Sequence, residues 1–147
     1  MKICLVSSAG GHLYQLIQLE PLFRSHDHFF IINNRTPLKD GILSRTYFIS
    51  RSHKDWKFFL NLIEAFRVIR KERPDVIIST GAGCIVPVSI VAKLFFGCPT
   101  VYIESFAAVY RPTLTGRIMY RLADKFLYQW EYLSRVYPKG IYSGSIF

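Results

Sequence analysis

Seven short apolar runs, separated by stretches of helical periodicity, constrain the fold of this chain more than any other feature. They lie at residues 2–7, 28–33, 45–50, 75–79, 100–104, 125–129 and 140–144. Between them, residues 12–20, 55–72, 84–96 and 114–123 space their apolar positions as helices do, and 131–136 reads as a further turn. Strands that alternate with helices run parallel, and a parallel sheet is covered on both faces. The pattern therefore predicts an α/β fold: a single Rossmann-like, doubly wound parallel sheet. No repeat, low-complexity stretch or linker divides the 147 residues, so 1–147 is expected to be one domain.

Composition narrows the partners. Half the residues are hydrophobic and 16% are aromatic, which excludes disorder. Mean hydropathy is +0.20, so surplus apolar surface must meet a partner or a membrane, or pack unusually well. The formal net charge of +9 suits phosphorylated ligands, anionic lipid or nucleic acid. Nucleic acid is the least supported of these, because no recognition motif accompanies the charge. Cys4, Cys84 and Cys98 are odd in number and have no CxxC spacing. With no secretory signal to be seen, they are expected to be reduced, cytosolic thiols acting as small hydrophobes. Residues 81–103 hold one charge, Lys93, and could be mistaken for a membrane span. Pro87 and Gly97-Cys98-Pro99 divide them into helix, turn and strand, which makes them buried core.

Candidate chemistry gathers at two glycine turns. Ser7-Ser8-Ala9-Gly10-Gly11-His12 falls where the first strand becomes a helix. Glycines there let backbone approach a ligand, a helix start favours anions, and the histidine can take a proton near neutral pH. Ser79-Thr80-Gly81-Ala82-Gly83-Cys84 makes a second such turn, and Ile103-Glu104-Ser105-Phe106 ends the next strand. All three belong on the carboxyl edge of the sheet, where doubly wound folds bind ligands. Neither turn is a P-loop or a dinucleotide fingerprint, so no cofactor is expected. Glu104 could bind a sugar hydroxyl, orient a histidine, cap the next segment or pair with a nearby arginine. His26-Asp27-His28 lacks a third ligand and His53 lies in a basic loop, so no metal site is expected.

The helix at 55–72, with Asp55 as N-cap and Pro74 as stop, has an unusually wide apolar face. Phe59, Ile63, Phe66 and Ile69 make one row; Phe58, Leu62 and Ala65 make another; Lys57, Asn61, Glu64 and Lys71 make a polar strip. Either both rows are core, or the helix lies on an anionic bilayer with Lys54, Trp56, Arg67, Arg70, Lys71 and Arg73 at its ends. A second helix repeats the theme, with Leu114, Ile118 and Leu122 against Arg117 and Arg121. Residues 35–44 read as a surface loop.

Taken in order, several segments resemble a known family. They are Ser8-Ala9-Gly10-Gly11-His12 with Leu13 and Leu16; Ser79-Thr80-Gly81-Ala82-Gly83 with Pro87; Gly97-Cys98-Pro99-Thr100; Tyr102-Ile103-Glu104-Ser105-Phe106-Ala107; Leu114-Thr115-Gly116; Asp124; Gln129-Trp130; Tyr137-Pro138; and Gly144-Ser145-Ile146-Phe147. The set resembles the amino-terminal half of GT-B glycosyltransferases of the MurG type. More closely, it is similar to the acceptor-side subunit of split glycosyltransferases: the membrane-anchoring partner of the eukaryotic Alg complex, or the bacterial enhancer subunit of capsule and exopolysaccharide synthesis. Ala108 stands where the family pattern has an arginine, and Arg111 is the nearby basic residue. No amino-terminal transmembrane helix is seen, unlike in many eukaryotic members.

The resemblance implies a domain equivalent to the N-terminal half of a GT-B enzyme, with a separate subunit supplying the donor-binding half. The UDP-sugar would be held mainly by that partner. The acceptor would be a lipid-diphosphate-linked saccharide, met at the cytoplasmic face of the membrane by a peripheral protein. It implies His12 as catalytic base, and Gly10, Gly11, Gly81, Ala82, Gly83, Glu104 and Ser105 as acceptor-site residues. Glu104 and Ser105 would bond the acceptor or steady their loop, and the apolar end from Ile141 to Phe147 would be a docking edge. The alternative is a non-catalytic scaffold that recruits the donor subunit to the membrane.

Overall fold

The computed structural model describes residues 1–33, 45–50 and 57–147. One sheet holds β1 (Lys2–Ser8), β2 (Asp27–Asn33), β3 (Thr46–Ile49), β4 (Val76–Ser79), β5 (Thr100–Ile103), β6 (Lys125–Tyr128) and β7 (Ile141–Tyr142). The strands lie in the order β3-β2-β1-β4-β5-β6-β7, and every pairing is parallel. All seven apolar runs are strands, several trimmed by a residue or more at their ends. Chain order proceeds outward from β1 to β3 on one side and from β4 to β7 on the other. The reversal between β1 and β4 is the switch point at which open α/β sheets form a crevice.

Alternation of side chains along each strand splits the core into two layers. Ile3, Leu5, Phe30 and Ile32 pack against Leu13 and Leu16 of α1 (Gly11–Ile17) and Phe23 of α2 (Glu20–Phe23). Cys4, Val6, Phe29, Ile31 and Ile77 face the other way. They meet α3 (Lys57–Glu72), α4 (Ile85–Phe96) and α5 (Leu114–Leu122) through Ala65, Ile69, Val88, Ala92 and Met119. The sheet is doubly wound, as expected. Residues 81–103 are indeed a helix, a turn and a strand: Gly97, at φ 60°, closes α4 in the left-handed conformation before Cys98-Pro99 leads into β5. No helix among the described residues is long and apolar enough to cross a membrane. The three cysteines are free and buried, and burial pushes the Cys84 thiol up to about 12 and that of Cys98 to about 11.

Two helices differ from expectation. The single helix expected over 12–20 is broken, because Pro21 sits in the first turn of α2. Proline has no N–H to bond back to Ile17, so it opens a helix and cannot continue one. In α3, the buried line is Asn61, Ala65 and Ile69, one turn apart, which puts a residue of the expected polar strip into the core. Phe59 (68% exposed) and Ile63 (51%) are turned outward instead. Lys54, Asp55, Trp56, His53 and the 35–44 loop lie outside the described residues.

A polar knot closes the amino edge of the sheet. The Glu72 carboxylate accepts from the Tyr47 hydroxyl at 2.5 Å, from Arg45 at 3.1 Å and from Lys2 at 3.2 Å. It fastens the end of α3 to the starts of β1 and β3. Among the described residues, no ion pair lies at the opposite, carboxyl edge between β1 and β4.

Candidate functional site at the switch point

Val6 of β1 lies opposite Ser79 of β4, so the two glycine turns that follow these strands meet. Gly10 precedes α1 at φ 100°, a conformation a side chain rarely allows. His12 is the second residue of α1 and points at the second turn: its Nδ1 lies 3.1 Å from the Thr80 carbonyl oxygen. The Thr80 hydroxyl in turn donates to the His12 carbonyl at 2.7 Å. A carbonyl only accepts, so Nδ1 carries the proton, and Nε2 of the neutral ring keeps its lone pair.

Gly81, at φ 127°, is needed for this contact. A Cβ there would come within 2.5 Å of His12 Nδ1. Ser79 Oγ steadies the turn by donating to the Gly81 carbonyl at 3.0 Å and accepting from its N–H at 3.3 Å. Ala82 follows at φ 78°, a left-handed conformation costly for a residue with a side chain. A second tie, from the Cys84 thiol to the Ser7 carbonyl at 3.3 Å, joins the same two turns. The structure thus brings Gly10, Gly11 and His12 together with Gly81, Ala82 and Gly83, and Gly10, Gly11 and Gly83 leave backbone open to solvent.

Glu104 and Ser105 directly follow β5 on this edge, yet both side chains are buried. Glu104 Oε1 accepts from the Thr113 hydroxyl at 2.8 Å and the Ser105 N–H at 2.9 Å. Oε2 accepts from the Tyr137 hydroxyl at 2.8 Å and the Thr113 N–H at 3.4 Å. Burial first, and the neighbouring carboxylate second, push the Tyr102 and Tyr137 phenols well above the ordinary tyrosine range. Thr113, itself held by Glu104, caps α5 by accepting from the Gly116 N–H at 2.8 Å. With both oxygens engaged, Glu104 holds the loop after β5 rather than reaching into the crevice. Ser105 Oγ similarly accepts from the Ala107 N–H at 3.3 Å.

Gln129 and Trp130, noted in the sequence only as part of a resemblance, brace the same loop. The Gln129 amide donates to the Glu104 carbonyl at 2.9 Å and the Trp130 indole to that of Phe106 at 2.6 Å. Thr80 and Tyr137 stand in the sequence only within resembling segments and Thr113 in none; their partners lie 68, 33 and 9 positions away, so no local pattern pairs them. Ala108 is buried and Arg111 exposed. His26-Asp27-His28 is structural: Asp27 pairs with Arg45 at 2.6 Å, and the His28 ring packs on Phe23.

A parallel sheet of this order, with two interlocked turns at its switch point, defines a Rossmann-like domain of the type that forms the amino-terminal half of GT-B proteins. The solved structure of MurG from Acinetobacter baumannii matches it with a TM-score of 0.73 at 15% identity, over 98% of this chain and 43% of that one. The family model described as "Oligosaccharide biosynthesis protein Alg14 like" matches residues 44–146, and the chain belongs to that family. Among its relatives is the human "UDP-N-acetylglucosamine transferase subunit ALG14", 34% identical over 87 residues, which are 56% of this chain and 40% of the human one. Another is the Staphylococcus aureus "UDP-N-acetylglucosamine--N-acetylmuramyl-(pentapeptide) pyrophosphoryl-undecaprenol N-acetylglucosamine transferase", 30% identical over 103 residues, 70% of this chain and 28% of that one. The chain spans less than half the length of these curated relatives. The family match begins beyond the first glycine turn, so His12 stands on its geometry.

Proposed function

We propose that this chain is the acceptor-binding subunit of a two-chain UDP-sugar glycosyltransferase. It extends a polyprenyl-diphosphate-linked saccharide in capsule or exopolysaccharide biosynthesis. A separate GT-B chain supplies the donor-binding half and most contacts to the UDP-sugar. The observation that carries this reading is the reciprocal pair between His12 and Thr80 at the switch point. The names of two relatives support it: one is a subunit of a UDP-N-acetylglucosamine transferase, the other acts on a pyrophosphoryl-undecaprenol saccharide.

In this reading Gly10 and Gly11 let backbone lie close to the acceptor sugar and its diphosphate, while Gly81, Ala82 and Gly83 shape the wall of the crevice. As the acceptor hydroxyl attacks the anomeric carbon and UDP leaves, Nε2 of His12 takes the hydroxyl proton. Thr80 holds the ring in the tautomer that makes Nε2 the base. Glu104 and Ser105 act one step back, by fixing the loop that walls the crevice.

The protein sits peripherally on the cytoplasmic face of the membrane. Phe59 and Ile63 of α3 and Leu94 and Phe95 of α4 are exposed on one helical layer, where Phe66 packs edge-on to Phe95. Arg67 and Arg70 lie beside them, the mixture that binds an anionic bilayer surface.

Co-expression with a donor-half chain and assay of UDP-sugar turnover test the proposal. His12→Ala should leave the complex intact and lower turnover by roughly 10²–10⁴-fold. Wild-type turnover from that variant would leave only the scaffold role, and turnover by the isolated chain would overturn the two-chain reading. Phe59→Ser with Ile63→Ser should release the protein from anionic vesicles.

A further inference from the structure

A groove of about 1110 Å³ runs between α5 and the segment leading into β7. Arg117, Arg121 and Lys139 line it, and none of the three has an ion-pair partner among the described residues. Its acid, Asp124, is already neutralised, since Lys93 pairs with it at 3.1 Å. The groove therefore carries uncompensated positive charge. Part of its wall is apolar: Ile118 and Val136 are 39% and 40% exposed and line it. The Tyr120 hydroxyl accepts from the Lys139 backbone N–H at 2.8 Å, which fixes the Lys139 segment against α5. Three free cations beside an exposed isoleucine and valine fit an amphiphile with an anionic head. Nucleic acid or an acidic peptide would leave Ile118 and Val136 unused.

We infer that this groove seats the phosphate headgroup of an anionic glycerophospholipid, with the glycerol and the first part of an acyl chain lying on Ile118 and Val136. The inference rests on the membrane-peripheral reading above and deepens it. Lys93 also donates to the Leu122 carbonyl at 2.9 Å, so α5 is locked beside α4. It belongs to the helical layer that exposes Phe59, Ile63, Leu94 and Phe95. The apolar patch would bind a bilayer whatever its headgroups, whereas the groove would select anionic ones.

The test uses the full chain and vesicles of phosphatidylcholine with or without phosphatidylglycerol. Arg117→Gln with Arg121→Gln should weaken binding to the phosphatidylglycerol vesicles roughly thirtyfold, each cation near an anionic surface accounting for about a fivefold share. Binding to pure phosphatidylcholine should not change. Arg24→Gln with Lys125→Gln is the control. It removes the same charge from the other face of the sheet, where Lys125 follows the line of Leu5, Ile78 and Val101. It should cost much less.

Equal losses in the two double variants would reduce the effect to overall charge and overturn the groove. Unchanged binding after Arg117→Gln with Arg121→Gln would also overturn it, as would loss of the donor-subunit complex in place of vesicle binding. A second readout needs no bilayer: soluble glycerophosphoglycerol should shift the methyl resonances of Ile118 and Val136 in the wild type and not in the groove variant. Inorganic phosphate producing the same shifts at equal concentration would mark a simple anion site and overturn the lipid assignment. Failure of the transferase reading would show separately, as absent sugar transfer with vesicle selectivity intact.

Discussion

Gly116 of α5 lies so close to the Glu104 carboxylate that a Cβ at position 116 would overlap Oε2. The glycine is the complement of a buried acid. Glu104 needs donors on every side, and α5 can reach it through Thr113 only if its first turn presses directly against the carboxylate. Gly116→Ala should therefore cost about 1–3 kcal/mol, the usual penalty for overpacking. Glu104→Gln should cost about as much, because its amide would turn an N–H₂ toward groups that themselves donate. Tyr137→Phe removes only one of those donors and should cost about 1 kcal/mol. Urea midpoints on the three variants check the order, and a harmless Gly116→Ala would mean that the carboxylate is not held where described.

Gly81→Ala should act on the histidine. The new methyl would displace Nδ1 from Thr80, and the left-handed backbone at φ 127° would resist any side chain. In the assembled transferase, turnover should fall at least about 10²-fold, comparable to losing a general base. Nitrogen NMR gives a readout that does not depend on activity. The neutral wild-type ring should be the Nδ1–H tautomer, and Gly81→Ala should lose that preference.

Much of this was legible in the sequence, and the rest fails for identifiable reasons. Strands such as Ile3-Cys4-Leu5-Val6 are buried on both faces, so an apolar run sufficed to place them. Both glycine turns could be put on one edge, because parallel strands share a direction. What periodicity could not supply was rotation. α3 offers apolar residues almost all round, and its line of contact is set by Ala65 and Ile69 meeting the sheet, which drew Asn61 inward and left Phe59 out. Nor could an acid at a strand end be known as buried, since its donors Thr113 and Tyr137 come from later elements. Pairings across 68 residues, such as His12 with Thr80, exist only once the strand order is known.

Acid should loosen the amino edge. Burial raises the pKa of Glu72, but bonds from Tyr47, Lys2 and Arg45 outweigh it and hold the carboxyl below the ordinary range. Asp124 is lowered likewise, burial being outweighed by the Thr100 N–H and Lys93. A carboxylate with a lower pKa folded than unfolded adds stability that is present above its unfolded value, about 4, and disappears as pH falls through the folded one. Stability should thus decline between about pH 5 and pH 3. Glu72→Gln should start less stable at neutral pH and lose less on acidification. Denaturant titrations across that range measure both, and parallel pH profiles for variant and wild type would refute the assignment.

Asn61 supplies the opposite case, a buried group whose removal should help. Its side chain is fully buried, and neither Nδ2 nor Oδ1 has a hydrogen-bond partner among the described residues. An unsatisfied buried polar group costs about 1–3 kcal/mol. Leucine has nearly the same shape and would sit on the line of Ala65 and Ile69, within an apolar layer. Asn61→Leu should therefore stabilise the protein by about 1 kcal/mol or more and raise Tm by about 2–4 °C for each kcal/mol. Asn61→Asp should do the reverse, because a charge there would be buried without a counterion. A lower Tm for the leucine variant would show that the amide does useful bonding in the folded protein, and that α3 is held by a polar contact as well as by its apolar line.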